Sequence, residues 1–340
     1  MRAAWIEEFG GPEVIRVGEL PNPVRRTGEV LVRVQAATLN HHDVFLRRGE
    51  AGRVGLPLVI GSDGAGVVAA ADAKSSFRSG QRVAIYPVVA CGTCASCRES
   101  LPHKCRRFEM IGGERQGTQA EYTLVPEACL VPVPDGLDAA TAAAISLAGL
   151  TAWNMVEDEG HARKGEHALV LGASGGVGVF TVRLLKRLGV HVHVITSSPG
   201  KEAGLRALGA DTVLVDSPAQ VLAFTRGLPE GGVDLAFNWV GGNTWRYVPA
   251  AVRPGGRILV CGTVRSPVAE LDMRQIFYRN VALIGCSMGT PAALRRMLEV
   301  AAADNSLRIP VDRTIGLDGI ADGHTHLEAG AAMGKVLVHP

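Results

Sequence analysis

The sequence predicts an α/β protein in two parts: a β-rich first unit, then a unit built on a doubly wound parallel sheet. Three observations carry this. The first 130 residues hold short β-branched runs broken by Gly and Pro. From Ala168 to Gly285, apolar strands alternate with helix-forming segments. A glycine-rich turn there follows one strand and opens one helix.

Composition agrees. A chain of 340 residues suits two domains, at roughly 100–200 residues each. Apolar residues make up 47 % and charged residues 20 %, which allows a large core and excludes global disorder. The net charge of +2 gives no electrostatic case for nucleic acid or an acidic membrane surface. Glu7 and Glu8 stand where a secretory signal needs an apolar stretch. The longest uncharged run, Ala139–Val156, contains Thr141, Ser146, Thr151 and Asn154 and reads as a buried helix. A soluble, cytoplasmic protein acting on a small molecule is expected.

In chain order, Val30–Gln35 alternates like a half-buried strand, and Val67–Ala70 and Arg82–Tyr86 follow suit. Asp138–Val156 is an Ala-rich helix with a carboxylate at its start. Strands are predicted at Ala168–Leu171, Val190–Thr196, Thr212–Val215, Asp234–Asn238, Arg257–Cys261 and Val281–Gly285. Helices are predicted at Val179–Leu188 and Lys201–Leu208. The tail reads as one amphipathic helix, Pro291–Ala303, and a last strand, Lys335–His339.

The turn Gly172-Ala-Ser174-Gly175-Gly176-Val177-Gly178 sits where a dinucleotide pyrophosphate binds. Glycines let the phosphates approach the backbone, and the helix N-terminus offers N–H groups and positive partial charge. No Gly-Lys-Ser/Thr follows, which disfavours a Walker-type NTPase. The second strand ends in Thr196-Ser197-Ser198-Pro-Gly-Lys201, without the Asp or Glu that takes the ribose hydroxyls of NAD. Hydroxyls and a cation favour the 2′-phosphate of NADPH.

Cys91-Gly-Thr-Cys94-Ala-Ser-Cys97 and Cys105 give four thiolates that close a tetrahedral, structural zinc site. An iron–sulfur run would need a fourth Cys-Pro after three residues, and seven intervene here. Cys129, Cys261 and Cys286 are isolated in apolar segments and read as core.

Together these features resemble the medium-chain dehydrogenase/reductase superfamily over nearly the whole chain. Gly61-Ser-Asp-Gly-Ala-Gly-Val-Val68 resembles its Gly-His-Glu-x-x-Gly-x-Val segment, and Asn40-His-His-Asp43 its Cys-x-x-Asp segment. Gly334-Lys-Val-Leu matches its usual ending, and Phe277–Thr290 resembles a branch of zinc-binding dehydrogenases. The resemblance implies a GroES-like catalytic domain (1–148 with 290–340, zinc lobe 91–105) and a Rossmann domain (149–289), with the active site in the cleft between them. It also implies a homodimer through the Rossmann edge strand, here Val281–Gly285.

Set against the zinc alcohol dehydrogenases, the three catalytic-zinc positions fall on Asn40, Ser62 and near Leu147, none a good ligand. One structural zinc and no catalytic zinc are therefore expected. Hydride transfer then suits an already electrophilic substrate, a quinone or an α,β-unsaturated carbonyl compound. The resemblance puts His42 at the proton-relay position and His41 at the pyrophosphate. Asn40 is a candidate donor to a substrate oxygen, and Tyr86 a candidate to reach the cleft. Asp43 is expected to orient a neighbour. Thr151, Val240, Cys261, Gly262 and Met288 fall near adenosine or nicotinamide, and Lys335 near a cofactor phosphate. The alternatives are a zinc-dependent alcohol or aldehyde dehydrogenase drawing on Asp43, Asp63 and His42, and a non-catalytic NADPH-binding protein.

Overall fold

The structure is a computed structural model that describes residues 1–52, 54–308 and 310–340. The chain divides into two compact units, Met1–Leu150 with Gly289–Pro340, and Thr151–Met288.

Unit 1 opens with β1 (Arg2–Ile6), β2 (Arg16–Glu19), β3 (Glu29–Thr38), α1 (His41–Arg47) and β4 (Leu58–Val59). It continues with β5 (Ala65–Ala70), β6 (Arg82–Ile85), β7 (Val88–Val89), α2 (Ala95–Arg98), β8 (Glu109–Met110), β9 (Tyr122–Pro126) and β10 (Leu130–Pro132). Its main sheet runs β10-β6-β5-β3, and the C-terminal β18 (Lys335–His339) and β17 (Val311–Gly316) extend it, with β9 also on β3. β3 shows why the alternation forms a strand: Val30, Val32 and Val34 turn inward, and Leu31 and Arg33 do not. The N-terminal strands and the C-terminal tail share one core, in which Ile6, Leu39, Leu58 and Ile60 meet Ile320, Val336 and Val338. The C-terminal strand therefore reaches the residues that open α1.

A helix then runs from Ala139 to Asp158. Asp138 Oδ1 caps it by accepting from the Thr141 N–H at 2.7 Å. It is α over α3 (Ala139–Ala144) and α4 (Leu150–Trp153), with π turns at Ile145–Gly149 and Asn154–Asp158. By length and composition it is apolar enough to cross a membrane, but 78 % of its most apolar window is buried inside the protein. That is the behaviour of a core helix.

Unit 2 alternates β11 (His167–Leu171), α5 (Gly176–Arg187), β12 (His191–Thr196), α6 (Glu202–Leu208), β13 (Thr212–Val215), α7 (Pro218–Arg226) and β14 (Val233–Phe237). α8 (Val248–Ala251), β15 (Val252–Val260), α9 (Arg274–Phe277) and β16 (Ala282–Gly285) follow. All six strands are parallel, in the order β13-β12-β11-β14-β15-β16. This is the doubly wound dinucleotide-binding order, with its switch point between β11 and β14.

The tail corrects the sequence reading. It holds two helices, α10 (Pro291–Ala303) and α11 (Ile320–Glu328), and β17 beside β18. The inward face of α11 is Ile320, Gly323, His324 and Leu327, so a glycine and a histidine mask the apolar period. α7 was also not expected, although Ser217-Pro218 is an ordinary helix start.

Candidate active site and metal centre

At the switch point, Gly172 follows β11 with φ +69°, a conformation that favours glycine. A Cβ on Gly178 would lie 2.4 Å from the Gly172 carbonyl oxygen, so the turn and the first turn of α5 need a bare backbone there. Gly175 is the N-cap, and Gly176, Val177 and Gly178 form the first turn, whose N–H groups have no intrahelical carbonyl to meet. The Lys201 ammonium donates to Ser174 Oγ at 3.3 Å, which joins the glycine turn to the end of β12. Ser197 is exposed and Ser198 half-buried beside it. Across the switch point, the Asn238 side chain accepts from the Val240 and Gly241 N–H groups at 3.2 and 3.3 Å. A Cβ on Gly172 would lie 2.7 Å from Trp239 Nε1. The sequence reading missed Asn238 and Trp239 as site residues, and the pair Gly241-Gly242 shortly beyond β14 was the available signal. Cys261 and Gly262 follow β15, and a Gly262 Cβ would lie 3.5 Å from Trp239 Cβ. Thr151 is buried at the start of the unit, and Met288 ends it with φ +45°.

In the cysteine lobe, the four Sγ atoms of Cys91, Cys94, Cys97 and Cys105 lie within 4.8 Å of one another. Cys91–Cys97, Cys94–Cys97 and Cys94–Cys105 are 3.9, 3.4 and 3.8 Å apart. A tetrahedron with Zn–S of about 2.3 Å has edges of about 3.8 Å. The Cys91 and Arg107 N–H groups each reach Cys105 Sγ at 3.4 Å. Arg107 donates to Thr93 Oγ1 at 3.2 Å, and Thr93 Oγ1 to Cys91 Sγ at 3.7 Å. The Thr93 N–H and then Arg107 pull the Cys91 thiol down to about 5. The Cys94 thiol is also lowered, by the Cys97 N–H first, whereas burial and then the Cys94 thiol push Cys97 up to about 12. The four sulfurs thus crowd one point and need a cation to hold them as thiolates, a donor set that fits zinc.

The third cluster is buried in unit 1 at the start of α1. Asp63 accepts from the Thr38 N–H at 2.7 Å and from Asn40 Nδ2 at 2.8 Å, and the Thr38 hydroxyl also donates to it. Asn40 Nδ2 also reaches the Thr38 carbonyl at 3.2 Å. The Lys335 ammonium, on the first residue of β18, donates to Asn40 Oδ1 at 2.6 Å and to the Leu39 carbonyl at 2.9 Å. It lies 3.6 Å from Asp63. Asp43 accepts from the Asn40 N–H at 2.9 Å and from the Ser62 hydroxyl at 3.3 Å. Burial, and then the charge of Asp63, push the Asp43 carboxyl up to about 7. Burial also holds Lys335 below its ordinary value, against the pull of Asp63 and Asp43.

This geometry corrects three expectations. Lys335 does not face a phosphate: it is 2 % exposed, and a cation so buried takes the nearest acceptors, Leu39, Asn40 and Asp63. Asn40 has no spare donor for a substrate oxygen, because both amide hydrogens are bonded to Asp63 and Thr38. The Tyr86 hydroxyl, 1 % exposed, donates to the Gly289 carbonyl at 2.8 Å, and burial raises its pKa further. The two histidines keep their candidacy. His42 Nε2 is buried without a protein partner, and burial lowers its pKa against the field of Glu114. Burial and then the Lys335 charge lower that of His41. Both rings are thus held toward the neutral form.

The comparisons agree with this construction. Residues 26–135 match the alcohol dehydrogenase GroES-like domain and residues 176–303 the zinc-binding dehydrogenase family. The chain belongs to the medium-chain dehydrogenase/reductase superfamily and is an oxidoreductase. It is 29 % identical to a quinone oxidoreductase of Pseudomonas aeruginosa, over 98 % of this chain and 97 % of that one. It is 26 % identical to an acryloyl-coenzyme A reductase of Sulfurisphaera tokodaii, over 97 % and 98 %. Among solved structures, an NAD-dependent alcohol dehydrogenase superposes with TM-score 0.91 at 35 % identity, over the whole of both chains.

Proposed function

We propose that this protein is a cytoplasmic, NADPH-dependent reductase of an activated C=C bond or a quinone, with one structural zinc and no catalytic zinc. One observation carries the reading. Asn40, at the position matched to a catalytic-zinc thiolate, has its oxygen bonded to a buried ammonium and its nitrogen to Asp63 and Thr38. It is not available as a ligand. Ser62, at the second position, and the residues near Leu147, where the third falls, offer no soft donor. The likeness to quinone and acryloyl-coenzyme A reductases supports the substrate class.

Without a Lewis acid at this centre, the substrate must already be electrophilic. Bound reduced nicotinamide supplies the hydride. His42 relays the proton: its neutral ring gives the N–H proton from one nitrogen and takes one from solvent on the other. Hydride on the β-carbon and proton on the enolate give the saturated carbonyl compound, and the same pair turns a quinone into a hydroquinone. Gly172, Ser174 and Gly175–Gly178 would cradle the pyrophosphate, and Ser197, Ser198 and Lys201 the 2′-phosphate. Cys91, Cys94, Cys97 and Cys105 would hold the zinc that braces their lobe. A homodimer through β16 is part of the proposal, supported by exposed Leu283 on that edge strand and exposed Phe277 and Tyr278 at the end of α9, which precedes it.

The 35 % identity to an NAD-dependent alcohol dehydrogenase favours a second reading, alcohol oxidation with NAD. One experiment separates the two: metal content per chain, then turnover of quinones, enones and an acryloyl thioester with NADPH or NADH, and of alcohols with NAD or NADP. One zinc and NADPH-driven reduction, lowered about 10²-fold or more in His42→Gln, is the expected result. Two zincs with chelator-sensitive alcohol oxidation replaces this reading with the second. Cofactor binding without turnover on the whole panel replaces it with a non-catalytic NADPH-binding protein.

A further inference from the structure

A second polar cluster lies in the core of unit 1, apart from the groups the reaction uses. Arg47, on the last turn of α1, has a fully buried side chain. Its Nη2 bonds Glu328 Oε1 on α11, and the same oxygen also serves Arg48, which is 43 % exposed. One carboxylate is thus divided between two guanidinium groups. Arg47 Nε and Nη1 are buried and have no protein partner. His324 lies one turn before Glu328 on the same face of α11, is 0 % exposed, and neither ring nitrogen has a protein partner. α1 and α11 pack on each other, and the Arg47 charge acts on the His324 ring. The titratable neighbours acting on His324 are Arg47 and His41; burial, and then the Arg47 charge, hold its ring neutral.

The balance of donors and acceptors is lopsided. Arg47 offers three unmatched N–H groups, one on Nε and two on Nη1, and neutral His324 offers one more, against a single unmatched ring lone pair. A buried N–H left unsatisfied costs about 1–3 kcal/mol, and more on a charged group. Water accepts two hydrogen bonds but brings two protons of its own, with one ring lone pair here to receive them. An occupant that only accepts, and that carries negative charge beside a half-neutralised guanidinium, matches the site better.

We propose that Arg47 and His324 form a buried site for a small monovalent anion of the halide class. The anion takes the N–H groups of Arg47 and His324 and completes the charge balance that Glu328 begins. It ties α1, which carries His41 and His42, to α11. The site is independent of the proposed reaction.

The test uses the purified full chain. Thermal unfolding is measured in sodium chloride or bromide against sodium gluconate at equal ionic strength. A saturable halide-dependent rise in Tm of about 3 °C or more is expected, with Arg47→Met or the milder His324→Gln abolishing it. Bromide-soaked crystals should give an anomalous peak at hydrogen-bond distance from Arg47 Nε and Nη1, a readout that needs no variant. Equal melting in both salts with only water between Arg47 and His324 overturns the proposal. A peak confined to molar bromide, without any change in Tm, marks an adventitious ion only and also overturns it.

Discussion

Unit 1 holds two polar clusters that solve the same electrostatic problem in different ways. The cysteine lobe gathers four thiols from a span of fifteen residues, Cys91 to Cys105, and leaves the neutralising cation to come from outside. The Asn40 cluster gathers Thr38, Asn40, Asp43, Ser62, Asp63 and Lys335 from nearly the whole chain and carries its own cation. A site assembled locally is written as a spacing. A site assembled by the fold is written as pairs of ordinary residues that become informative only when a strand brings them together.

The largest break in this comparison comes from the lobe. Cys94→Ser should reduce bound zinc from about one per chain to well under half, measured by elemental analysis, and unfold the lobe. Structural zinc sites are worth about 10–16 kcal/mol in isolated peptides, and part of that is at stake here. Retained zinc would sink the four-thiolate assignment.

The Asn40 cluster should break next. Asp63→Ala leaves the Lys335 ammonium buried without its carboxylate, and a loss of about 3–5 kcal/mol is expected in urea unfolding. A loss below 1 kcal/mol would mean that the lysine turns out to solvent. Zinc content should not change, because the two clusters share no ligand.

A pH series sharpens the comparison through opposite signs. Asp43, raised to about 7 in the folded chain, binds more protons folded than unfolded, so its contribution is lost as pH rises from about 4 to 7. Asp43→Asn mimics the neutral carboxyl and should gain about 1–2 kcal/mol over the parent at pH 8, and less at pH 5. His193 in unit 2 behaves oppositely. Burial, and then His167 at 3.0 Å, depress it to about 4, so stability falls as pH drops from about 6.5 toward 4. The cost is about 1–2 kcal/mol at pH 5. His193→Phe, beside Phe224, should flatten that limb without touching the alkaline one. An unchanged acid limb in that variant rules out His193 as its source.

The smallest effect belongs to the groups around the thiolates. Arg107→Ala should speed zinc transfer to a chromogenic chelator about tenfold, with Arg107→Lys between variant and parent. Equal release rates for all three would confine zinc retention to the four sulfurs and their N–H donors.

Much of the molecule was legible before any coordinates. The glycine turn was readable because phosphate-binding turns need bare backbone at fixed offsets, and Gly172 and Gly178 occupy such positions. α10 and β18 have the bounds their patterns predicted, because each buries a regular apolar face. α11 was not readable, because tertiary packing filled its inward face with Gly323 and His324. Lys335 was misjudged for a related reason. A lysine that starts a strand is usually solvated, and only the pairing of β18 with β3 carries it beside Asn40 and Asp63.

By itself, the sequence determined what short-range chemistry dictates: the α/β class, the glycine turn, and a four-cysteine lobe whose spacing suits one tetrahedral metal. Tertiary structure decided which polar groups are spent on each other. Asn40, Tyr86 and Lys335 became internal partners because burial makes an unpaired polar atom costlier than a bond to the nearest acceptor. His42 and Arg47 kept buried nitrogens without a protein partner, and no spacing along the chain reveals that.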